Sequence, residues 1–169
     1  MNNLLKISLT VSALFLGMIA FSAEEGQLTA AAINPMASNT VLGLWKTIDD
    51  KSNEPRSIVE IFEKDEKIFG KIVKVYPRSG NQDNCTKCKD EFKDQPILGM
   101  QFMWDLKKIS NTSTSFDDGK ILDPENGTIY RAKLKLLNDG KKLEVRGYIG
   151  ISLFGRSQEW IRSSAEDLK

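Results

Sequence analysis

The sequence predicts an all-β fold, an eight-stranded antiparallel up-and-down β-barrel. Three observations predict it. After Val41, short runs rich in β-branched and aromatic residues alternate with turn clusters. No long amphipathic helical period interrupts them. Most of the links are short, and two carry strong turn chemistry: "DPENG" at 123–127 and "NDGK" at 138–141. A meander of about eight such strands can close on itself and remove its edges. At that size the interior either fills with side chains or holds one small ligand. A two-sheet sandwich is the competing arrangement, but the Cys…Trp…Cys spacing of immunoglobulin domains is absent.

The elements follow in order. "GLWKTID" (43–49) ends at the turn cluster "DKSNEP". "RSIVEIF" (56–62) alternates, with Arg56, Ile58 and Glu60 on one parity. If that parity faces inward, Arg56 and Glu60 form a buried polar pair. Outward placement is the better reading, because charges are rarely buried. "IFGKIVKVY" (68–76) precedes the longest polar loop, 77–95. "ILGMQFMWDLKKI" (97–109) is apolar on both parities, so one side is expected to line a cavity while the other packs outside. "NTSTSFDDG" reads as a turn and "KIL" (120–122) as a short strand. "TIYRAKLKLL" (128–137), "KLEVRGYIG" (142–150) and "RSQEWIR" (156–162) complete the set, followed by a frayed polar tail at 164–169.

The N-terminus sets the compartment. Lys6 is the only charge before a short apolar run, "ISLTVSALFLGMIA", with Ala20 and Ser22 as the small residues of a cleavage site. This is the pattern of a secretory signal peptide over 1–22. The run is too short to span a bilayer, so membrane contact is expected only during export. A second cut after Ala32 is also compatible with the sequence. Residues 23–40 read as a flexible linker and 41–163 as a single barrel domain. The 24 basic and 23 acidic residues nearly cancel, which gives no electrostatic footprint for nucleic acid. Histidine is absent, which removes the commonest general base and metal ligand.

The strand ends carry a resemblance. The first strand opens with Gly43-x-Trp45 and the last ends with Arg162. This is similar to the lipocalin pattern, in which a Gly-x-Trp seals the barrel floor and an arginine from the last strand packs over the indole. The resemblance makes Gly43, Trp45 and Arg162 the barrel-closing residues. A guanidinium over an indole is a sound cation–π contact. A second resemblance spans Gly43 to Arg162. The segments "GLWKTIDD…PRSIVEI", "GKIV", "LDPENGTIYRAKLKL" and "VRGYIGISLFGRSQEWIR" resemble a family of small secreted bacterial proteins, domain of unknown function 2147. That resemblance implies a compact β domain in the bacterial envelope, periplasmic or secreted, and brings no catalytic residues.

Three features are candidates for chemistry. Cys85 and Cys88 are the chain's two cysteines, in "NQDNCTKCKDE". In an oxidising compartment they are expected to pair as a local disulfide that clips the long loop. A thiol-exchange centre, favoured by Lys87 and Lys89, and a metal site near Asp83, Asp90 and Glu91 are the alternatives. Neither a helix N-terminus nor a four-ligand set accompanies the pair, so no metal and no cofactor are expected. The second feature is "GYIGISLFGRSQ" (147–158), whose glycines, Leu153, Phe154 and Arg156 suggest a loop folded over a barrel mouth or a contact patch. The third is the group of acids and bases on the strands, Arg56, Glu60, Glu144 and Arg146; the barrel interior adds Phe102, Trp104 and Tyr130 as candidate lining residues. Together these predict a non-enzymatic binder of a small apolar or amphipathic molecule, contacted by Phe102, Trp104, Tyr130, Leu153, Phe154 and Arg156. The alternative is a solid barrel that docks an envelope partner through 150–156.

Overall fold

The structure, a computed structural model, describes residues 39–169 apart from 79, 81, 110, 111 and 113. The expected signal peptide, and the linker up to residue 38, lie outside the described residues. Eight strands follow one another: β1 (Gly43–Ile48), β2 (Pro55–Lys64), β3 (Lys67–Val75), β4 (Gln101–Lys108), β5 (Ser115–Asp123), β6 (Thr128–Leu137), β7 (Lys142–Tyr148) and β8 (Gly155–Arg162). Each pairs antiparallel with the next, and β8 returns to β1, so the sheet is a closed barrel without edges. Outward positions carry charges in cross-strand pairs such as Glu60–Lys71 and Lys142–Glu159. A lipid-facing belt does not tolerate such charges near its centre.

Two elements differ from the expectation. Residues 97–100 are not strand: Gly99 takes a φ of +87°, and its N–H donates to the Ile72 carbonyl over 2.8 Å. In return the Ile72 N–H donates to Met100. The segment read as a turn before residue 120 instead begins β5. Its "DDG" is a bulge within the strand, with the register to β6 shifting between Phe116 and Gly119 and Asp118 at φ +61°. Lys107 and Arg131 hold the Asp118 carboxylate at 2.8 and 3.3 Å, which fixes the bulge.

The core lies inside the barrel. Trp45, Val59, Ile61, Ile68, Leu106, Leu134 and Leu143 are fully buried. Burial of side chains this size stabilises by roughly 1.5–3 kcal/mol each. The floor depends on one contact. Arg162 Cζ sits 3.9 Å from the Trp45 ring centroid. Its Nε donates to the Gly140 carbonyl, and its two Nη groups donate to Leu42 and Thr40, all within 2.8 Å. The Trp45 indole donates to the Val41 carbonyl at 2.8 Å. Gly43 stands beside them at φ +110°, where any side chain would be strained and would crowd the guanidinium.

The tail expected to fray is instead docked. Residues Ala165–Leu168 form a single 3₁₀ turn, capped by Ser164 and Asp167 in a reciprocal box. Lys46 pairs with Asp167 at 2.9 Å, and Lys74 donates to the carbonyls of Asp167 and Lys169. Between these two lysines in the register lies Ile58, which faces outward yet has no exposed surface. The turn therefore covers the one outward isoleucine that its two lysine anchors flank, and this burial resists fraying.

Two outcomes follow from the floor and the tail. Trp45→Ala lowers the free energy of unfolding by about 3–5 kcal/mol in urea titrations. Arg162→Leu is also severe, because it strips donors from three carbonyls, and Arg162→Lys restores only part of the loss for want of the fork geometry. The second outcome concerns pH. Hydrogen bonds from Lys46 and Ser163 lower the Asp167 carboxyl to about 2. A depressed carboxyl stabilises the fold above its ordinary value of 3.8 and loses that contribution as pH falls toward about 2. Melting scans from about pH 5 to pH 2 should show a shallower acid loss in Asp167→Asn than in the parent.

Candidate ligand-binding site

A cavity of about 570 Å³ opens at the end of the barrel opposite the Trp45 floor. The strand directions build it. The links β1–β2, β3–β4, β5–β6 and β7–β8 gather at this end. Inward positions of the strands below them supply an apolar wall that includes Val59, Ile72, Phe102, Val145 and Trp160. One polar spot interrupts the wall, where the hydroxyls of Thr47 and Ser57 meet at 2.8 Å.

The rim is charged. Arg56, Arg78, Lys87 and Arg156 line it against Asp123 and Glu125. A bulge explains Arg56. The β1–β2 register shifts between Thr47 and Ile48, which leaves Arg56 as the extra residue and turns it into the mouth. Arg56 and Glu60 are therefore not a pair. Arg56 contacts Asp49 and Glu125 at the rim, while Glu60 faces Lys71 on the outer wall.

Asp49 anchors the rim. It accepts the backbone N–H groups of Lys51 and Ser52 at 2.9 and 3.0 Å, and these bonds hold its carboxyl well below the usual range, with Arg78 adding to the effect. Its ion pairs reach Arg78 at 3.1 Å and Arg56 at 3.8 Å. Asp50 does the same for Arg156, and Gln158 also donates to it. Burial lowers the Arg56 guanidinium pKa, and repulsion from Arg78 adds to the shift. Burial raises Asp123 despite Arg56 and Arg156 nearby. The rim thus presents guanidiniums inward, while Asp49 and Asp50 position them from outside the lining.

The predicted residues divide. Phe102 lines the cavity, with its ring 6.2 Å from that of Trp160. Tyr130 and Arg156 line the rim, and the Tyr130 hydroxyl accepts from Asn126 at 3.2 Å. Phe154 borders the mouth although 72% exposed. Leu153 is 76% exposed and lies outside the lining. Trp104 also lies outside it, stacked on Phe92 of the cysteine loop at 5.6 Å. The cause is two register shifts between β3 and β4, which bury the consecutive Phe102 and Met103 and break the alternation that put Phe102 and Trp104 on one face.

Arg78 and Trp160 are lining residues that sequence reasoning missed. Arg78 sits in an irregular link and carries no periodic signal. Trp160 does, because it lies two residues before Arg162 on the same strand and so shares the inward face. Trp160 is also the described residue with a buried side-chain polar atom, Nε1, that no protein acceptor reaches.

Cys85 and Cys88 form a disulfide. Both are buried, and the Cys85 sulfur lies 3.3 Å from the Pro124 carbonyl. Gly127 permits this seating at φ +73°, since a Cβ there would overlap the Lys87 carbonyl. The bond closes a tight turn within the loop, which packs against the β5–β6 turn at the rim, and its burial shields the sulfurs from an attacking thiolate.

A solved structure, protein HP1028 from Helicobacter pylori, described as belonging to the lipocalin family, superposes with a TM-score of 0.65 at 20% sequence identity. The match covers 78% of this chain and 88% of that one. It shows the lipocalin-like fold. Among curated proteins none matches. A family model described as an uncharacterized protein conserved in bacteria (DUF2147) matches residues 43–162. That match takes in every strand from Gly43 on β1 to Arg162 on β8, and the chain belongs to this family.

Proposed function

We propose that this protein is an exported, lipocalin-like binder of one small apolar or amphipathic molecule, without enzymatic activity. The observation that carries the reading is the cavity. At about 570 Å³ it falls within the volumes of small-molecule sites, and it joins an apolar wall to a few convergent polar groups. The expected signal peptide and the disulfide support export to the periplasm or beyond. The HP1028 likeness supports the barrel as a container.

A second reading has its own observation. Ile149, Ile151, Leu153 and Phe154 are all more than half exposed in the link between β7 and β8. Such a loop suits an envelope protein partner. If so, a cross-linked product from the envelope fraction disappears in the Leu153→Ser, Phe154→Ser variant.

The main reading is tested on delipidated protein with a panel of fatty acids, lipids and neutral amphiphiles. A ligand at a hundredfold excess over its Kd stabilises by about 2.7 kcal/mol, a rise of several degrees in Tm. A panel in which no member raises Tm would rule out the carrier reading.

A further inference from the structure

We infer that the site recognises its ligand at two separated points: an anionic head group held by Arg78 and Arg156 at the rim, and a neutral hydrogen-bond acceptor on the chain that meets Trp160 Nε1 inside the barrel. This rests on the carrier reading above and specifies its ligand class.

The rim supplies the first point. Four cationic side chains and two carboxylates line the cavity. The guanidiniums of Arg56, Arg78 and Arg156 face a common opening, and Asp49 and Asp50 hold Arg78 and Arg156 in place from behind. A carboxylate, sulfate or phosphate entering here gains charge-assisted hydrogen bonds from planar donors already positioned.

Trp160 supplies the second point. Its side chain lines the cavity and is 2% exposed, and no protein acceptor reaches Nε1. Buried indole N–H groups ordinarily find a partner. The tryptophan of the floor shows the contrast, since its N–H is bonded to the Val41 carbonyl. The fold leaves this N–H buried and unpaired, so a ligand that brings an acceptor to it satisfies a group the protein itself does not. The acceptor there is neutral, because the wall around it is apolar and a buried charge without a counterion is costly. Trp160 and Arg156 are four residues apart on β8, so the two points lie about 13 Å apart along the strand. A medium-length chain with an oxygen near its far end spans that distance.

Decanoate, decanol and ω-hydroxydecanoate test the assignment on the full mature chain. Affinities come from titration calorimetry at low salt. Decanoate should bind about tenfold tighter than decanol, the value of one charge-assisted hydrogen bond net of water. Arg78→Gln with Arg156→Gln should remove that gap. The Trp160 indole ¹H–¹⁵N signal, assigned by its loss in Trp160→Phe, should move downfield with ω-hydroxydecanoate and not with decanoate. Equal affinities for decanoate and decanol, or an indole signal indifferent to the hydroxyl, would each overturn the two-point assignment while leaving the carrier reading standing. If none of the three binds while other amphiphiles do, the assignment falls alone. If nothing binds, the carrier reading falls with it.

Discussion

The contact between Arg162 and Trp45 is what allows this barrel to be closed and hollow at once. The seam between β1 and β8 consists of two residue pairs, Trp45↔Arg162 and Lys46↔Ile161. Every other neighbouring pair of strands has a longer register or more contact along its length, so the seam is the weak place of the sheet. The guanidinium reinforces it with hydrogen bonds that the ladder cannot supply. It reaches Thr40 and Leu42 on one side of the seam and Gly140 in the β6–β7 link. A lysine would offer charge without the planar fork that spans three carbonyls and stacks on an indole.

A sealed floor has a consequence for the opposite end. Trp45, Leu106, Leu134 and Leu143 fill the lower half, so the apolar packing that holds the fold does not need the upper half. There the walls are free to retreat from one another. The cost is that polar groups at the top must be satisfied without a solid core beneath them. Local turns meet that need. Asp49 is fixed by Lys51 and Ser52 within its own loop, and Asp123 accepts from Glu125 and Asn126 within its own turn. The disulfide loop adds a third support by seating its backbone against Gly127. Each rim link is thus self-bonded, and the opening keeps its shape with little help from the interior.

The strand order and the floor were legible because they rest on period and on end residues. Alternation in "TIYRAKLKLL" and the hairpin signal after it give β6 and β7 directly. Gly43, Trp45 and Arg162 stand out by position. The upper half was less legible because bulges decide it. A register shift of one residue exchanges the two faces of a strand, and composition does not announce where it occurs. Arg56 turned inward at one such shift, and Trp104 turned outward beside another. Arg78 depended on the path of an irregular link, for which no periodicity exists. Trp160 does carry a signal, because it shares the face of Arg162 two residues further along the same strand.

The arrangement of charge at the rim bears on what the arginines can do. An ion pair that neutralised each guanidinium fully would leave little for a ligand. Asp49 is not such a partner. Its two backbone hydrogen bonds satisfy much of its charge, and one carboxylate is shared between Arg56 and Arg78. A guanidinium has five N–H donors in a fixed fork, and a contact through one Nη leaves others for a second anion. Asp49 therefore acts as a bracket: it orients Arg78 without exhausting its donors. Burial first, and then repulsion from Arg78 and to a lesser degree Arg156, lowers the pKa of Arg56, and these two arginines are the residues that face the opening. An incoming anion relieves that repulsion while Asp49 and Asp50 keep their pairs, so the rim gains a ligand without first having to break a bond of its own.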